Sequence, residues 1–260
     1  FDNLSVAMVE AGETGGVLDD TLKRLAKLLE DNARLQNQIK GAMGYPVTVL
    51  VLAIVIFLAM MIFLVPTFAS IFAELGAELP FFTRVMVGIS ELIRSSFALV
   101  VLGALAVAAF LFARYYATPV GRRQVDGLLL RLPIFGDLLQ KISTAQFCRT
   151  MSSLSRAGVP ILQSLEILRE TTSNRVIGDA IDASRNEVSE GMTLSSSLAA
   201  KKVIPEMAIT MLAVGEETGS MDTMLSKVAD FYEDEVATAI KVLTSLLEPA
   251  MIVIVGCIVG

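Results

Sequence analysis

The side chains equipped for chemistry in this chain are carboxylates set beside glycines, and they occur twice. Gly12-Glu13 recurs as Gly215-Glu216 at an offset of 203 residues, Asp19 as Asp222, and Glu30-Asp31 as Glu233-Asp234. Glu217 adds an acid to the later corner, and Arg149 is a cation within an apolar-striped helical segment. The usual catalytic companions of such acids are missing. The chain has no histidine and two cysteines, Cys148 and Cys257, which removes His-based triads, HExxH zinc sites and a zinc cage built on thiolates. There is no GxxxxGK[ST], GxGxxG or GxSxG motif. No enzyme, metal site or cofactor is expected. The acidic corner is then either a tight helix–helix turn, with glycine for backbone freedom and Thr14, Thr218 or Ser220 capping the next helix, or a charged surface offered to another protein.

These acids belong to a repeated module. Met8/Met211, Gly16/Gly219, Leu22/Leu225, Ala26/Ala229 and Pro46/Pro249 are identical at the same offset, and both copies run into a long apolar stretch. A period this long is not that of a solenoid; one helical unit followed by a membrane span is used twice. Residues 47–65 are 19 residues without a charge, about 28 Å as helix, close to the hydrocarbon thickness of a bilayer. Residues 97–113 form a second run, flanked by Arg94 and Arg114, and residues 250–260 read as a third span cut short. The chain starts without Met and partway into the first copy, so it reads as an internal fragment of a longer protein. With 54% hydrophobic and 18% charged residues and a mean hydropathy of +0.65, it is too apolar for a soluble domain and too charged for spans alone.

Basic residues orient the spans. Residues 23–40 and 114–141 carry five Lys or Arg each, against two in residues 66–96. The expected organisation is residues 1–44 as terminal helices of a first cytoplasmic domain, 45–66 as a span, 67–96 as a periplasmic amphipathic segment, 97–114 as a span, 115–248 as a second cytoplasmic domain, and 249–260 as the start of a third span. A net charge of -6 without a basic stripe argues against nucleic-acid binding. The two charge-free spans also argue against an ion-coupled carrier.

Outside the spans the pattern is helical throughout. Thr118-Pro119 marks a helix start, Asp137 a cap, Gly158-Val159-Pro160 a stop and restart, Asn174 another cap and Gly191 a stop; residues 194–199 read as a short turn, and Pro205 opens a helix ending at Gly215. That is about six helices around one small core. In the external segment, Phe68, Ile71, Phe72 and Leu75 share one face, and Val85, Ile89 and Leu92 share that of a second helix.

Several stretches resemble one family: LPIFGDLLQKISTAQFCRTMSSLSRAGVPILQSLEIL (132–168), VSEGMTLSSSL (188–198), VGEETGSMDTMLSKVADFYEDE (214–235), SLLEPAMIVIVGCIVG (245–260), and, in the first copy, MVEAGETGG and GYPV. They are similar to the polytopic inner-membrane platform proteins of bacterial type IV pilus assembly and type II secretion, and the likeness covers the whole chain. The resemblance implies an all-α polytopic membrane protein with duplicated six-helix cytoplasmic domains, the first only partly present, and three transmembrane helices in the bacterial inner membrane. It implies a non-enzymatic role and, as partners, a cytoplasmic hexameric assembly ATPase, pilin or pseudopilin transmembrane helices, other inner-membrane assembly proteins and further copies of the chain. The wording of the motifs favours the pilus machine, with the secretion component as the alternative.

On that resemblance Glu13, Glu216, Glu217, Asp222 and Arg149 are candidate partner contacts, Arg149 having the alternative of an ion pair inside the bundle. Asp19/Asp222, the latter as the alternative to a partner contact, and Glu30-Asp31/Glu233-Asp234 read as solvated faces. Glu248-Pro249 and Tyr45-Pro46 are candidate hinges at the membrane joint, non-equivalent because Tyr45 replaces the acid. Gly256 and Gly260 form a GxxxG pattern that would permit close span packing.

Overall fold

A computed structural model describes residues 3–14, 16–74, 81–133 and 135–259. Among these residues all regular structure is helical, with no strand. The chain divides into two compact units: Phe1–Lys40 with Pro119–Leu243, and Gly41–Thr118 with Thr244–Gly260.

In the first unit, α1 (Asn3–Thr14) and the start of α2 (Leu18–Ala59) carry the first repeat copy; α6 (Pro119–Arg131), α7 (Phe135–Arg156), α8 (Ile161–Thr171), α9 (Arg175–Ser189), α10 (Leu194–Lys201), α11 (Glu206–Thr218) and the start of α12 (Met221–Val259) follow. Six helices, α7 to α12, contribute to one core, whose fully buried side chains include Met151, Leu165, Ile181, Leu198, Leu212 and Leu225. Three- and four-residue apolar spacing puts these on one stripe per helix. A second cluster joins Leu4, Met8, Leu25 and Leu28 of the first copy to Leu154, Val159 and Ile167.

Local chemistry sets the helix ends. Asn174 Oδ1 accepts from the backbone N–H of Val176 and Ile177 at 2.9 and 3.2 Å, capping α9. Gly158 and Gly191 take φ of +80° and +100°, a region open to glycine, just beyond α7 and α9. Three expectations are corrected. Residues 194–201 form a helix rather than a turn, because Thr193 caps it and an acid outside the segment completes its start. Helix α7 begins at Phe135, two residues before Asp137, which sits in the first turn and pairs with Lys141 at 3.1 Å. Helix α11 runs through Gly215 and stops at Gly219, whose φ of +67° is left-handed.

The second unit holds the apolar parts of α2 and α12 with α3 (Val65–Glu74), α4 (Phe81–Arg94) and α5 (Ser96–Tyr116). Between α2 and α3, Met60–Leu64 forms a π-turn. It lies just before Pro66, whose ring excludes an ordinary helical bond to the carbonyl four residues back; the wider turn lets the helix continue. The π-turn carbonyl of Met61 accepts the Ser90 hydroxyl of α4. Helix α4 carries the expected Val85, Ile89 and Leu92; Leu75 lies outside the described residues. Among the described residues, two helical runs, Leu18–Phe72 and Met221–Val253, are long and apolar enough to cross a membrane, or three if Val100–Tyr116 and Pro119–Arg131, bent by 98°, count as one.

Candidate functional site: the repeated corner and the arginine between the copies

The two glycine–acid corners share one backbone geometry. The Ser220 N–H donates to the Gly215 carbonyl at 3.0 Å and the Val17 N–H to the Gly12 carbonyl at 2.9 Å, so the closing hydrogen bond of each helix runs to the carbonyl five residues back. Gly16 and Gly219 supply the left-handed residue, at φ +69° and +67°. Gly12 and Gly215 are glycine for a different reason: a Cβ there would come within 2.7 Å of Thr21 and 2.9 Å of the Met221 Cα. The first turn of the next helix lies against each. The hydroxyls of Thr14 and Thr218 do not cap that helix; they donate back to the Glu10 and Val214 carbonyls, at 2.8 and 2.7 Å.

The acids of the corner part company. Glu216 turns inward and accepts the backbone N–H groups of Leu194 and Ser195 at 2.7 and 2.9 Å. A charged carboxylate on two unpaired N–H groups at a helix start is a charge-assisted cap, so Glu216 ties α11 to α10. Asp222 pairs with Arg156 at 3.1 Å, and its carbonyl accepts the Ser152 hydroxyl at 2.6 Å, fastening α12 to α7. Glu13 and Glu217 are exposed. Of the corner acids, two are built into the fold and two face solvent.

Arg149 lies on α7, with its side chain only 14% exposed. It donates to Asp230 Oδ1 at 2.7 Å and, through Nε, to Glu233 Oε1 at 2.8 Å; Asp31 of the first copy stands 4.0 Å away. Arg34 closes the network by pairing with Glu233 at 3.0 Å. Burial works against the Arg149 charge, but its hydrogen bonds to Asp230 and Glu233 outweigh this and raise its pKa. The solvated-face reading therefore holds for Glu30 and Asp234, which are exposed, and fails for Asp31 and Glu233, at 17% and 13%. Their partners are 84 and more residues away along the chain, and no local spacing signals such pairing.

The remaining candidates lie along the long helices. Helix α2 passes through Pro46 and α12 through Pro249 without a break. Tyr45 is 65% exposed, Pro46 half-buried, and Glu248 and Pro249 exposed. Gly256 is exposed, with nothing within 4 Å of a Cβ placed on it; Gly260 lies outside the described residues. Cys148 is free and buried, and its burial pushes the thiol up to about 12. Among the described residues no group of three or more potential ligands could hold a metal.

The family model for the type II secretion system (T2SS) protein F matches residues 1–66 and 147–260. The type IV pilus assembly protein PilC of Thermus thermophilus is 45% identical over the whole chain, and that of Myxococcus xanthus 41%. The type II secretion system protein F of Pseudomonas aeruginosa is 34% identical, again over the whole chain. The chain spans 64, 62 and 64% of the length of these three relatives, respectively. With family motifs in both repeat copies and identity of this extent along its full length, the chain belongs to the family of type IV pilus assembly PilC proteins and type II secretion system F proteins.

Proposed function

We propose that this chain is the core of a non-enzymatic inner-membrane platform in a type IV pilus assembly machine. In this reading its charged helical unit lies in the cytoplasm and engages a hexameric assembly ATPase. Its apolar helices receive pilin transmembrane segments, and residues 67–96 face the periplasm. Further copies of the chain and other inner-membrane assembly proteins complete the machine. The observation that carries the reading is the continuity of α2 and α12: each leaves the charged unit and runs on, as one helix, into a sequence apolar enough to cross a membrane. A continuous helix transmits displacement along its axis, which a flexible linker would lose. The pilus machine is favoured over secretion by relatives at 45 and 41% identity named for pilus assembly, against 36 and 34% for those named as secretion protein F.

Glu13 and Glu217 are the corner acids available to a motor, since Glu216 and Asp222 are held inside. The test is capture of the intact detergent-solubilised protein by purified pilus and secretion ATPases, comparing the parent with Glu13→Lys/Glu217→Lys. Binding to a pilus motor that weakens about tenfold on charge reversal supports both the machine and the surface. Binding to a secretion motor alone selects the alternative, and binding to neither sinks the platform reading.

A further inference from the structure

The ion network around Arg149 joins the two repeat copies. Asp31 and Arg34 belong to α2, Asp230 and Glu233 to α12, and Arg149 reaches both from α7. Arg34 also crosses directly from α2 to Glu233 on α12. Three helices are thus tied in a closed loop of charge. Glu30-Asp31 and Glu233-Asp234 are equivalent pairs, yet the first copy turns its second acid inward and the second copy its first. Neighbouring positions on a helix point about 100° apart, so two like helices approaching one arginine from different sides use different members of the pair.

We propose that Arg149 is a clasp between the repeat copies: one guanidinium holds α2 and α12 together, so that a displacement imposed on either helix is passed to the other. The planar fork of arginine suits this place, since it offers several fixed donors to separate carboxylates where a lysine offers one compact charge. With Arg149, Glu233 and Asp31 at 14, 13 and 17% side-chain exposure, the pairs on these two acids are shielded from salt more than a surface bridge; Asp230, at 53%, is the open partner. The use of the clasp rests on the platform reading: a motor pushing on one copy would move both membrane-directed helices.

The experiment places spin labels at Gln38→Cys and Thr238→Cys, exposed positions on α2 and α12, in the intact protein with Cys257→Ala, reconstituted in lipid nanodiscs. Cys148 is buried and stays. The inter-label distance distribution is read for the parent, Arg149→Gln and Arg149→Lys, and the same variants are introduced into a strain lacking the parent gene to count pili. The clasp predicts that the distribution broadens about twofold in both variants, with Lys failing to restore it, and that pili fall about tenfold. An unchanged distribution in a folded Arg149→Gln protein overturns the clasp. So does a broadened distribution with full piliation. If Arg149→Gln does not fold, Asp31→Asn removes the α2 carboxylate that Arg149 reaches while leaving its guanidinium paired with Asp230 and Glu233, and no broadening there is equally fatal. Should the parent protein itself fail to restore pili, the platform reading falls and the distances alone decide the clasp.

Discussion

In the second repeat copy Leu225, Val228, Ala229, Tyr232 and Val236 lie in the core, none more than 5% exposed. Their counterparts in the first copy are Leu22, Leu25, Ala26, Leu29 and Ala33; Leu22 and Leu29 are each 45% exposed, and only Leu25 is buried. The first copy buries another face instead. Met8 and Leu28, at 0 and 1%, pack with Leu154, Val159 and Ile167, while their counterparts Met211 and Phe231 are 39 and 47% exposed. The same heptad-like pattern thus makes the same helices and corners, and the neighbour decides which face is used. Amphipathic periodicity states that a helix has an apolar side; it does not state what will cover it.

The sharpest break of this comparison is a matched pair of truncations. Leu225→Ala should destabilise the first unit by about 2–5 kcal/mol, because it opens a cavity in a closed core. Leu22→Ala, the same change at the equivalent position, should cost less than about 1 kcal/mol. Urea denaturation of the intact protein in detergent, followed by hydrogen exchange in α12 and α2, reads both; equal losses would show that the copies share one environment.

Next come the corners, where the copies should behave alike. Gly12→Ala and Gly215→Ala should each cost about 1–3 kcal/mol through overpacking. The second should be the worse, because the obstructing atom is the Met221 backbone rather than the Thr21 side chain. A thermal melt that leaves either variant unchanged would refute the close approach. The acids beside them should diverge again. Glu216→Ala removes the cap on α10 and should cost about 1–2 kcal/mol, whereas Glu13→Ala should lie within about 0.5 kcal/mol of the parent. Amide exchange at Leu194 and Ser195, accelerated in the first variant and unaltered in the second, is the local readout.

The smallest expected effect concerns Cys148. Its buried thiol, raised from about 9.0 to about 12, stays protonated in the folded state while the unfolded chain ionises near 9. The unfolded state therefore binds fewer protons between those values, and stability declines as pH rises from about 9 toward 12. Cys148→Ala should flatten that decline, and a thiol reagent at pH 8 should leave Cys148 untouched until the protein unfolds.

Much of the candidate site was legible from residue types alone. The duplicated Gly-Glu corner, the helix stops at Gly158 and Gly191 and the cap at Asn174 depend on local conformational rules, and each is met by the geometry described above. Glu216 was visible as a special acid, but not as the cap of a helix that local propensity read as a turn; that depends on residues 21 and 22 positions apart coming together. Asp31 and Glu233 looked like ordinary solvated acids. Their role exists only because α7 brings Arg149 between two helices distant in the chain.

The sequence by itself determined the helical class, the repeated module and the apolar segments, because helix periodicity, glycine conformations and span length are set within a few turns of chain. Tertiary structure alone decided which face of each copy is buried, which corner acid is free, and that one arginine serves both copies. Those are matters of which surfaces meet, and burial and ion pairing depend on neighbours that no local stretch of sequence specifies.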